Sequence, residues 1–303
     1  MYKLSRQTRE TIKTIAVLLV VALLVVAYII YPLNRVKASM ARANIDDYEN
    51  DSLHVNDVSA WVNAGMTPDT FRVESDGLTT LACLHLAPSG DTGLRVRGTV
   101  ILVHDETTDR NCLLPTARAL IDSGYAVIVF DQRACGQSTG KYHGAGQYEA
   151  TDLLEVIRYA DMRGQITHPL LVIGFALGAD AALLAAGEDK RIDAVMAVNP
   201  YLSVPRWQDA VRKRLNMFSF PFFRTIMWWW YEIRSGYAAE YRQVDDIKPV
   251  ACRTLLLTAP DAGQTPEIRR LVELSPELLR TEAAPVSEEA WFGRVLAFAA
   301  GGD

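Results

Sequence analysis

Five short runs along this chain, residues 99–103, 126–130, 170–175, 194–199 and 254–258, are apolar almost throughout. A strand wetted on one face alternates apolar and polar residues, so continuous runs suit strands buried on both faces of a parallel sheet covered by helices. The intervening segments have helical periodicity. Residues 113–123 end at Gly124, a good C-cap, and 148–163 put Leu153, Val156, Ile157 and Ala160 on one face. A third helix is expected over 177–186, stopped by Gly187, and a last one over 287–300 carrying Trp291, Val295, Leu296 and Phe298. Residues 71–88 alternate around Asp76-Gly77, a two-residue hairpin signal, so an antiparallel edge opens the sheet. The expected class is α/β, with a mostly parallel central sheet flanked by helices.

The N-terminus is a different kind of segment. From Ile15 to Tyr31 no side chain is charged or an amide. At about 1.5 Å per residue, residues 14–33 span the roughly 30 Å hydrocarbon core as a transmembrane helix. Lys3, Arg6, Arg9 and Lys13 form a short basic tail over 1–13, while Arg35, Lys37 and Arg42 follow the span. This slight positive-inside bias puts the globular part outside the cytoplasm. A cleaved signal peptide with Ser39 and Ala41 at the cut is the competing reading, but its apolar region would be unusually long. Residues 34–70 read as a linker, 71–300 as one domain, and no internal repeat is visible.

A chain of 303 residues that is 50% hydrophobic can bury a substantial core. Its net charge of -5, with no long lysine and arginine run, gives no surface for phosphate backbones, so nucleic acid is not expected as a partner. Cys83, Cys112, Cys135 and Cys252 form no CxxC pair and indicate neither zinc nor a redox motif. A disulfide stays open for a domain outside the cytoplasm. No cofactor is indicated.

Four pieces occur in the order found in α/β-hydrolases of the serine aminopeptidase and esterase-lipase kind. LVHDETTDR (102–110) resembles the strand and His-Gly turn that supplies one oxyanion-hole N–H. VFDQRACGQSTG (129–140) resembles the D-x-R-G-x-G-x-S loop, with Ala134 in place of the first glycine. VIGFALGADAA (172–182) stands where the nucleophile elbow G-x-S-x-G belongs, and LLLTAPDAGQTP (255–266) resembles the strand and loop bearing the triad acid. The resemblance covers about 71–300 and implies the α/β-hydrolase fold, with residues 201–250 as a helical lid insert.

At the elbow, Gly174 and Gly178 provide the small neighbours that a sharp strand-to-helix turn needs, but Ala176 fills the nucleophile position. Alanine has no oxygen to attack a carbonyl. Of five histidines the last is His168, before the elbow, whereas the family's catalytic histidine would fall around 281–285. Asp261 stands at the place of the triad acid, with no imidazole to orient. Ala176 and Asp261 are therefore vestigial positions, and no intact catalytic set is expected. His104, Asp105, Glu106 and Leu177 are the expected pocket residues: the Leu177 N–H starts a helix at the oxyanion position. Asp105 and Glu106 either place negative charge there or turn to solvent.

Asp131, Arg133 and Asp152 resemble residues that in this family fix the loop after the strand, and the resemblance implies that an ion pair among them is structural. Ser138, His143 and Ser203 are substitute catalytic candidates without supporting spacing, and His104, Asp105 and His143 have no metal-ligand spacing. Within the insert, 218–233 (FSFPFFRTIMWWWYEI) suits lid packing, an acyl pocket or a face on the bilayer, and Arg206, Arg212, Lys213 and Arg214 would favour anionic headgroups. The leading expectation is a membrane-anchored α/β-hydrolase-like protein without catalysis that binds a hydrophobic small molecule or a membrane protein partner. The alternative is an active hydrolase of ester, amide or acyl substrates using non-standard residues.

Overall fold

The computed structural model describes residues 6–40, 66–88, 95–214, 225, 229, 232–233, 242–259 and 265–302, with the side chains of 6, 9, 27–40 and 67 outside that set. Helix α1, Arg6–Met40, contains the expected span and extends beyond it at both ends. Part of the expected basic tail and residues 34–40 of the expected linker are thus helical. Residues 34–40 hold neither glycine nor proline, and nothing local stops the helix there. Among the described residues, no helix is long and apolar enough to cross a membrane. Residues 27–33 of the expected span lie outside the described side chains.

The sheet has eight strands in the order β1-β2-β4-β3-β5-β6-β7-β8. Strands β1 (Met66–Ser75) and β2 (Thr79–Pro88) are antiparallel, and β2 lies antiparallel to β4 (Ala126–Phe130). From β4 onward the pairs are parallel, through β3 (Thr99–Val103), β5 (Leu170–Phe175), β6 (Ala194–Val198), β7 (Arg253–Thr258) and β8 (Leu279–Ala283). The first strand starts at Met66 rather than at residue 71, because its register with β2 runs unbroken to Met66 opposite Pro88. The hairpin loop has three residues, not two: Ser75 faces Thr79. Asp76 closes it by accepting the N–H groups of Leu78 and Thr79.

The sheet's two faces bury separate cores, as period-two strands require. Ile101, Val103, Ile128, Phe130, Val172 and Val195 meet α3 (Gln147–Met162) and α4 (Leu177–Glu188). Val100, Leu102, Val127, Val129, Leu171 and Met196 meet α2 (Leu114–Asp122) and α8 (Glu288–Ala299). Each buried aliphatic side chain contributes about 1.5–3 kcal/mol. Gly187, expected as a helix stop, lies inside α4. A Cβ there would sit 3.1–3.2 Å from Lys248, so the glycine serves a close approach.

The expected lid insert contains α5 (Val204–Arg214) and the short α6 (Gln243–Asp246). Most of the aromatic stretch 218–233 lies outside the described residues; Trp229 and Ile233 are exposed. Helix α7 (Pro266–Leu274), capped by Thr265, has no counterpart in the sequence reading.

Candidate active site

The turn from β5 into α4 carries the site. Ala176 sits at φ 49° and ψ -112°, a conformation strained for any residue with a Cβ, and its N–H bonds the Val198 carbonyl at 2.8 Å. The two glycines make the turn possible by removing bulk at backbone contacts. A Cβ on Gly174 would lie 2.2 Å from the Gly178 oxygen, and one on Gly178 would lie 2.4 Å from the His104 oxygen. This second contact seats the start of α4 directly on the end of β3. The Leu177 N–H has no hydrogen-bond partner among the described residues, while its side chain is buried.

The turn after β3 differs from the expectation in each side chain. His104 is fully buried and faces the core, not a pocket: its Nε2 accepts the Gln132 N–H at 2.9 Å, and Nδ1 contacts the Asp105 carbonyl at 2.5 Å. Burial pushes its pKa below the usual histidine range. Asp105 closes its own turn, accepting the Thr107 N–H at 2.7 Å and the hydroxyls of Thr107 and Thr108. Glu106 does not meet solvent, and its Oε2 is buried without a hydrogen-bond partner among the described residues. Its Oε1 accepts from the Tyr201 hydroxyl at 3.0 Å and from Arg214 at 3.1 Å, so the C-terminal end of α5 and the loop before α5 are tied to the turn after β3. Asp261 lies outside the described residues.

The loop after β4 is structural. Arg133 makes a bidentate pair with Asp152 at 2.6 and 2.7 Å and also reaches Asp76 at 3.0 Å. Asp131 belongs instead to Arg110, accepting its N–H at 2.9 Å and that of Gln137 at 2.7 Å. Ser138 is used up between Ala82 N–H and the Asp131 carbonyl. Ala134 takes φ 59° where the family carries glycine. Ser203 is buried at the start of α5, its hydroxyl without a partner.

His143 has neighbours that sequence spacing did not signal. Its Nδ1 lies 3.3 Å from Glu149 Oε1, and its Nε2 lies 3.7 Å from Cys135 Sγ, all three side chains being buried. Burial opposes the charged imidazole, but Cys135 and Glu149 outweigh it and hold the pKa well above the usual range. Glu149 also accepts the Gly144 and Gly146 N–H groups at 2.8 and 2.9 Å, capping α3. The four cysteines are unpaired. Among the described residues no group of three or more His, Cys, Asp or Glu could hold a metal ion.

Asp180, on the first turn of α4, is also buried and escaped the sequence reading. It accepts the Leu202 N–H at 2.8 Å and the Tyr201 N–H at 3.3 Å, pinning the loop after β6. Burial pushes its carboxyl well above the usual range, against these two donors. A pKa raised by folding contributes stability below the unfolded value near 3.8 and loses it as pH rises. Asp180→Asn keeps an acceptor but no titration. Its unfolding free energy relative to wild type is therefore expected to climb as pH rises from about 4 upward. A difference that stays flat over that range in urea titrations would contradict the assignment.

Beyond the ends of β6 and β7, beside the elbow, a cavity of about 420 Å³ opens between Tyr201, α5, Thr258 and Ile268. Ligands in open α/β sheets bind at such carboxyl ends.

Residues 95–246, half of the chain, match the family model for serine aminopeptidases of the S33 group. The chain belongs to that family. Among solved structures, the esterase Pf2001 of Pyrococcus furiosus superposes with a TM-score of 0.64 at 21% identity, covering 86% of this chain and 98% of that one. A proline iminopeptidase of Mycobacterium smegmatis gives 0.54 at 14% identity over 77% of this chain and 98% of its own. These likenesses show the α/β-hydrolase fold. YqkD of Bacillus subtilis is 33% identical over 103 residues, which is 34% of this chain and 32% of that protein. A 31.7 kDa Escherichia coli protein of the traX-finO intergenic region is 31% identical over 101 residues, 32% of this chain and 35% of its own length. The matched stretch thus spans about a third of each of these curated relatives. Within this family, which is named for a serine, this chain carries Ala176 at the turn between β5 and α4.

Proposed function

We propose that this chain is a membrane-anchored serine aminopeptidase family member that has lost serine hydrolase chemistry and binds a hydrophobic ligand or a membrane protein partner. One observation carries the reading: Ala176 occupies the strained vertex of a well-formed elbow. The histidines reinforce it. His104 and His143 are committed to buried contacts, His168 pairs with Asp193 at 2.6 Å, and no histidine follows it in the chain. Anchoring is supported by the apolar side chains from Ile15 to Val26, which α1 leaves exposed at 49–67%. The basic residues before the span favour an extracytoplasmic domain.

The experiment combines both halves of the proposal. Membranes expressing the full chain are washed with alkaline carbonate and then treated with a fluorophosphonate probe. The chain is expected in the pellet and unlabelled. Release into the wash would refute the anchor, and stoichiometric labelling mapped to a serine would refute the loss of chemistry.

A second reading, an active hydrolase built on other residues, is favoured by the Cys135, His143 and Glu149 arrangement. A thiol next to an imidazole oriented by a carboxylate is the layout of an activated nucleophile. Against it, Cys135 is completely buried and its Sγ also contacts the Glu106 carbonyl, while Glu149 also caps α3. Covalent capture of Cys135 by an acyl-directed electrophile in the folded chain would decide for this reading.

A further inference from the structure

The cavity at the ends of β6 and β7 has an uneven lining. Pro200, Ala210 and Ile268 give it apolar walls. Its polar side chains are mostly donors. The Lys213 ammonium has no ion-pair or hydrogen-bond partner among the described residues. Arg206, 30% exposed, reaches Glu267 only at 3.6 Å, too long for a normal hydrogen bond. Asn199 directs its Oδ1 to the Ala259 N–H at 2.8 Å, so its amide donors are not used by that contact. The one acid of the lining, Asp209, faces Arg212 at 3.4 Å.

Two incompletely paired cations, the half-buried Arg206 and the exposed Lys213, stand at the rim of a largely apolar recess, whose size lies within the range of about 300–1,000 Å³ common for small-molecule sites. A neutral ligand would leave the cations unanswered; an acid would pair with both. We propose that this cavity takes an anionic amphiphile, its carboxylate or phosphate head between Lys213 and Arg206 and its alkyl chain along Pro200, Ala210 and Ile268. The assignment rests on the reading that the domain binds a hydrophobic ligand, and it adds the charge of the head and the place of the chain. It also suits an anchored protein, for which acidic lipids and their breakdown products are close at hand.

Calorimetric titration of the full chain in phosphatidylcholine nanodiscs tests it, with decanoate, decyl phosphate and decanol as probes and empty discs subtracted. Decanoate or decyl phosphate is expected to saturate a single site, and the tighter of the two identifies the head group. Decanol should bind at least about tenfold more weakly, since it forfeits two charge-assisted contacts. Lys213→Ala and Arg206→Ala should each weaken the acid by about five- to tenfold, while Lys213→Arg keeps it within about threefold. Decanol binding as tightly as decanoate, or Lys213→Ala without effect, would overturn the acidic head and leave the hydrophobic-ligand reading standing. No saturable heat from any of the three probes would overturn both.

Discussion

Gly178→Ala is expected to destabilise the domain by at least about 3 kcal/mol, the upper part of the range for overpacking. The new methyl would meet the carbonyl oxygens of His104 at 2.4 Å and Val103 at 2.6 Å, both backbone atoms of β3 and its turn. Neither can rotate away as a side chain would. Relief requires α4 to lift from the sheet, which opens contacts of Ala179, Ala182 and Leu183 in the core. Gly293→Ala is the control: it lies in α8 with nothing within 4 Å of the added carbon, so it should be neutral or stabilise by up to about 1 kcal/mol. Urea midpoints of both variants, read by circular dichroism, check the pair. A Gly178→Ala variant within about 1 kcal/mol of wild type would show that the elbow is not packed as described.

Arg133→Met should cost about 3–5 kcal/mol, because it leaves the Asp152 carboxylate buried without its cation. The pair is nearly sealed from water, with Arg133 6% and Asp152 1% exposed. Asp76, 33% exposed, loses a partner too, but water can replace it there. The double variant Arg133→Met with Asp152→Leu removes both charges and should recover most of the loss. Equal destabilisation in the single and double variants would mean that shape rather than charge sets the cost.

Legibility in the sequence followed the physics of burial. Strands β3 to β6 are apolar along their whole length because both faces are covered, and that pattern survives without a structure. Strand β8 shows in the sequence only as the short strand-like run Leu278 to Arg280, because as an edge strand it buries only Leu279 and its remaining residues are exposed. Gly187 misled because a glycine near a helix end reads as a stop, whereas contact with Lys248 is what requires it. At the site, Gly174, Ala176 and Gly178 were legible since one tight turn sets their spacing. The partners of Glu106 and Asp180 were not. Arg214 is 108 residues from Glu106, and the N–H groups held by Asp180 come from residues 21 and 22 positions away. Cys135 and Glu149 flank His143 at spacings of 8 and 6 residues, which match no motif and become a cluster only when the loop folds inward.

The proposed loss of chemistry at Ala176 would run to one of two depths. If only a hydroxyl were missing, restoring it would restore function, because the strained turn and the Leu177 N–H are in place. With no histidine after His168, a serine there would have no base. Removing either serine or histidine from a working triad already costs on the order of 10⁶ in rate. The decisive measurement is hydrolysis of p-nitrophenyl butyrate by the purified Ala176→Ser variant beside wild type. The two rates are expected to agree within about twofold, whereas a gain of about 10³ or more would show a base within reach of the elbow and contradict the account.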